Sequence, residues 1–73
     1  MKINYDPQVD ALSVTLRKGV VDRTVEIAPE IMLDFDKEGR PLYLEILDAT
    51  AKIGKNNMNS IRIGDAKIPF AVV

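Results

Sequence analysis

Apolar side chains recur at every second position along most of this chain, and that period limits the fold more than any other feature. Leu12, Val14 and Leu16 alternate with Ser13, Thr15 and Arg17, and Ile31, Leu33 and Phe35 alternate with Met32, Asp34 and Asp36. A period of two places one set of side chains on each face of an extended strand, whereas a helix needs a period near 3.6. Five strands are expected on this basis, at about residues 2–6, 12–16, 21–28, 31–36 and 42–47. Asp6-Pro7-Gln8-Val9-Asp10 reads as a turn, Lys18-Gly19 as a break and Asp36-Lys37-Glu38-Gly39-Arg40 as a hairpin loop. Pro29 interrupts the chain after the third strand, since it has no N–H to give a ladder.

The period changes after Leu47. Asp48 is placed to cap a short helix at 49–53, with Gly54 as its stop. Ile61 and Ile63, then Ile68, Phe70 and Val72, predict a C-terminal hairpin around Gly64-Asp65. The expected fold is mainly β in one domain, 1–73: an antiparallel meander of about five strands, one short helix and that hairpin.

Each strand presents one apolar face, and a helix of about one turn cannot cover five of them. Two covers fit. The C-terminal segment folds over the sheet, or two chains pack together. Short domains usually gain stability from disulfides, metals or oligomerisation. The 73 residues include neither cysteine nor histidine, which removes disulfides, thiolate sites and the commonest metal ligand. A homodimer is therefore expected. Met32, Tyr43 and Leu47 fall on the second face, and Ile68, Phe70 and Val72 in the tail; these six are the interface candidates.

Three segments carry a family resemblance. They are Tyr5-Asp6 with Asp10-Ala11-Leu12, then Leu33-Asp34-Phe35-Asp36 with Gly39, then Glu45-Ile46-Leu47 with Ala49. In this order and spacing, over about residues 1–50, the chain resembles the small prokaryotic family called domain of unknown function 2283. Leu44 stands where that family often has a small residue, and 51–73 extend past the resemblance. The family implies a short β-rich protein with no cofactor or catalytic residue to carry over. The proximity of some members' genes to those of small toxin-like proteins implies a partner-binding, antitoxin-like role.

One motif carries chemistry on paper. Asp34, Asp36, Glu38, Gly39 and Glu45 match positions one, three, five, six and twelve of a calcium loop, with Glu38 outside the usual residue choice. Several carboxylate oxygens around a tight Gly turn suit hard Ca²⁺ or Mg²⁺. Such a loop normally joins two helices, and here it joins two strands. The favoured reading is a solvated hairpin that holds no metal. The alternative is a weak Ca²⁺/Mg²⁺ site or a carboxylate-dependent hydrolase at 34–45. Paired carboxylates involving Asp6 or Asp10 need a cleft that separates their pKa values, and the pattern indicates none. Ser13 and Ser60 lack a histidine to activate them.

Ten basic and eleven acidic residues give a net charge of −1, so no strong attraction to nucleic acid is expected. No segment is long and apolar enough to span a membrane, and Met1–Asp6 lacks the apolar run of a signal peptide, so the expected location is the cytoplasm. The function expected from these features is a non-catalytic, homo-oligomeric protein-binding module without a cofactor.

Overall fold

The computed structural model describes residues 1–72. Among these residues eight strands form: β1 (Lys2–Asp6), β2 (Ala11–Thr15), β3 (Arg23–Ala28), β4 (Ile31–Phe35), β5 (Pro41–Ile46), β6 (Ser60–Ile63), β7 (Ala66–Pro69) and β8 (Ala71–Val72). One helix, α1 (Ala49–Ile53), and a 3-10 turn at Lys55–Asn57 separate β5 from β6. The mainly β expectation, the helix at 49–53 and the hairpin around Gly64 all hold. Gly64 takes φ 57° there, a conformation glycine adopts without steric cost.

The strand order is not a simple meander. The main sheet runs β3-β4-β5-β2-β1-β8, and β6-β7 form a separate pair. β2 pairs with β5 instead of β3, so two antiparallel units, β1-β2 and β3-β4-β5, join through β2 and β5. Leu12 and Val14 of β2 stand opposite Ile46 and Leu44 of β5, while β3, which carries Arg23, Val25 and Ile27 on the same face, goes to the edge. The chain between β2 and β3 must pass the ends of β5 and β4, roughly 14 Å at strand spacing. Seven residues, 16–22, reach that far at about 3.3 Å each. β8, which the alternation did not reveal, adds in parallel to β1.

The register creates continuous rows across the sheet. Ile3, Val14, Leu44, Leu33 and Val25 lie opposite one another in turn, from β1 to β3. Tyr5, Leu12, Ile46 and Ile31 form the next row. α1 and the β6-β7 hairpin lie over the first part of both rows. Ile3, Leu12, Val14 and Ala49 are the buried centre, with Ile53, Met58, Ile61, Ile68 and Phe70 packed against it. The tail thus covers the β1-β2-β5 half of the apolar face.

Asp48 does not cap α1 as expected. It sits at φ 51°, ψ 47° and makes no side-chain cap bond. Gly54 does end the helix, its N–H donating to the Thr50 carbonyl at 2.9 Å.

Candidate functional site

Asp10 supplies the missing helix cap from 40 residues away. The Thr50 N–H donates to Asp10 Oδ1 at 3.2 Å, and the Thr50 hydroxyl to Oδ2 at 2.7 Å. The Tyr5 hydroxyl donates to Oδ1 at 2.7 Å, and the Ala49 N–H to the Asp10 carbonyl at 2.9 Å. A carboxylate that accepts several donors is stabilised in its charged form. The bond from Tyr5, then that from Thr50, hold the Asp10 pKa below its ordinary value, with the Lys52 charge adding to the effect against some desolvation. The same bond to Asp10 raises the Tyr5 pKa, with burial and the Asp10 and Asp6 charges in the same direction. These donors occupy both oxygens, so the cluster is a clamp between the first hairpin and the helix. Asp6 works locally, accepting the Gln8 N–H at 3.0 Å.

The calcium-loop carboxylates do not converge. Asp36 is buried, and Oδ1 accepts the N–H groups of Glu38 and Arg40 at 3.0 and 2.9 Å while Oδ2 takes Arg40 Nε at 2.6 Å. Burial would raise the Asp36 pKa, but the Arg40 N–H and guanidinium outweigh it and hold the carboxyl below its ordinary value. Asp34 accepts the Thr24 hydroxyl. Glu38 is exposed, 3.4 Å from an Arg40 nitrogen. Glu45 stands opposite Met32 on the polar face, diagonal to Asp34. Among the described residues no three acidic side chains are placed to share a metal ion. An open cleft of about 390 Å³ lies beside this hairpin, lined by Lys18, Asp22, Asp36, Lys37, Glu38 and Arg40 among others. Its charges balance, and its Asp36 and Arg40 already hold each other.

The interface candidates fall into three groups. Ile68 and Phe70 pack on the core from the tail. Val72 is 70% exposed on β8. Met32, Tyr43 and Leu47 are half-buried. Tyr43 secures the β2–β3 connection, its hydroxyl lying 3.2 Å from the Gly19 nitrogen and 3.3 Å from the Gly19 oxygen. The Leu47 N–H donates to the Glu30 carbonyl at 3.0 Å.

The largest unexplained feature is the other half of the apolar face. Along the row from Ile3 to Val25, exposure rises from 1% to 39%. Leu33 is half-buried but takes no part in the core cluster, and Ile27 next to Val25 is 54% exposed. Arg23 lies 4.9 Å above the Phe35 ring and covers part of this area. Sequence reasoning missed this division because alternation assigns a face and not its cover.

The family model described as a protein of unknown function, DUF2283, matches residues 2–49. The chain belongs to that family. No curated protein and no solved structure matches the chain. The family unit therefore comprises β1 to β5 and the first residue of α1, while β6, β7 and β8 lie beyond the matched residues. The segments that carried the resemblance have structural roles. Tyr5 and Asp10 form the clamp, Ala49 is fully buried beside it, and Asp36 and Gly39 build the β4-β5 turn. Arg40 and Thr50, which complete these arrangements, carry no local pattern that would single them out. No helix among the described residues is long and apolar enough to cross a membrane.

Proposed function

We propose that this family member is a non-catalytic, self-associating module of the cytoplasm that works by binding protein. The observation that supports this reading is the row from Ile3 to Val25. Its covered half forms the core, and its other half ends in exposed valine and isoleucine at a sheet edge. Water-facing aliphatic side chains gathered on one rigid sheet are a contact surface in search of an apolar counterpart. The engagement of Asp10, Asp34 and Asp36 in hydrogen bonds that hold turns, strands and the helix together favours binding over carboxylate catalysis. An antitoxin-like role is the specific form of this proposal, with a small toxin-like protein as the partner.

The test is an affinity capture from the native host, compared with Val25→Asp and Ile27→Asp variants. A stoichiometric partner lost in both variants supports the reading. Recovery of the same partner by wild type and variants alike would move the binding surface elsewhere.

A further inference from the structure

We propose that β3 is a dimerisation edge, pairing antiparallel with β3 of a second copy about Val25 and joining the two sheets into one. This rests on the self-association in the proposed function and specifies where it occurs.

The first support is the sheet order. β3 ends the main sheet on one side, so its outer N–H and C=O groups have no strand among the described residues. Arg23 to Ile27 are all exposed, and the strand contains neither proline nor lysine, two residues that commonly blunt an edge. The second support is the asymmetry between edges. β1, at the other side, carries β8. The edge on that side is β8 itself, two exposed residues that pair only with Asn4 and Tyr5, whereas β3 offers six. The longer edge is the one able to carry an extended contact, and a two-fold pair through it is isologous.

The third support is register. A two-fold normal to the sheet keeps both apolar faces on the same side, so opposed residues must share a face. That leaves pairings centred on single residues. Centring on Arg23 or Glu26 opposes identical charges, and centring on Thr24 puts Asp22 opposite Glu26 of the copy. Centring on Val25 opposes Val25 to itself, Thr24 to Glu26 and Arg23 to Ile27. This register has no like-charge pair, and it opposes two β-branched valines on the apolar face. Positions 24–26 lie before the bulge between Glu26 and Ala28, so the centre of the contact is regular strand.

The absence of cysteine makes the test clean. Opposed residues in an antiparallel pair have Cα atoms about 4.5–5.5 Å apart, within disulfide reach. Sedimentation at micromolar concentration should give twice the 8.1 kDa chain mass. Val25→Cys should oxidise to a covalent dimer. A mixture of Thr24→Cys and Glu26→Cys chains should cross-link between the two variants in several-fold excess over either alone. Both of these positions are exposed on the polar face, so they serve even where Val25→Cys folds poorly. A single-chain mass throughout overturns the proposal together with the self-association it rests on. A dimer in which the mixed variants do not cross-link overturns edge pairing alone and leaves the apolar face as the contact.

Discussion

Val14 and Val25 occupy the same cross-strand row and differ in what lies over them. Val14 is 4% exposed beneath the tail, and Val25 is 39% exposed at the edge. Replacing each by alanine removes the same two carbons. Full burial of two such groups contributes about 1.6 kcal/mol. At Val14 the cavity left under the tail adds to this, for a loss of about 2–3 kcal/mol. At Val25 only about 60% of the transfer applies and water fills the gap, so the loss is at most about 1 kcal/mol. A domain of this length has a total stability of roughly 4–11 kcal/mol. Each kcal/mol shifts Tm by about 4–8 °C. Val14→Ala should therefore lower Tm by roughly 8–24 °C, and Val25→Ala by no more than ~8 °C, in dilute thermal melts followed by circular dichroism. Repeating the melts at a hundredfold higher concentration adds a second reading. If β3 pairs with a copy, the deficit of Val25→Ala grows with concentration, because binding stabilises only the folded form. Equal losses for the two variants in dilute solution would refute the assignment of covered and bare halves.

Acid should weaken the fold through Asp10 and Asp36. Both have folded pKa values lowered from 3.8, so their stabilisation is fully present above that value and is lost as pH falls through the lower folded values. The urea midpoint should hold steady from about pH 7 to about pH 5 and fall below about pH 4. Asp10→Asn should lower the midpoint at neutral pH, with the gap to wild type narrowing in acid; a constant gap would contradict the clamp. Gly39→Ala should cost about 1 kcal/mol, because Gly39 has φ 79° and a Cβ there meets nothing within 4 Å, leaving only backbone strain. An unchanged urea midpoint would count against that turn geometry. A chain ending at Ile53 should lose cooperative melting and bind an apolar dye, since Ile3, Leu12 and Val14 lose Ile61, Ile68 and Phe70. A sharp two-state melt of that fragment would show that the tail is not the cover.

What the sequence makes legible is local. Alternation locates β1 to β5 to within a residue or two, because each strand repeats its own pattern. Gly54 and Gly64 mark the helix stop and the last turn for the same reason. The pairing of β2 with β5 is not local. It depends on Leu12 meeting Ile46 and Val14 meeting Leu44, and alternation is equally compatible with β2 beside β3. The cap of α1 misled for a related reason. Asp48 is correctly spaced, but the donor groups of Thr50 turn to Asp10, which a linear reading assigns only to its own turn. The hairpin carboxylates matched a metal loop by spacing. Asp36 instead faces Arg40, and their bond distinguishes a brace from a ligand.

The clamp between Tyr5, Asp10 and Thr50 has a consequence for how the chain is made. Its two sides are separated by 40 residues. At about 5–20 residues per second, synthesis leaves Asp10 waiting roughly 2–8 s for Thr50. β1 and β2 carry Ile3, Leu12 and Val14, and the segments that shelter them, from Ile53 to Phe70, are translated after both sides of the clamp. The hairpin and its lock are therefore made before its cover. The order of translation, as much as the final packing, sets when this protein is most exposed to wrong partners.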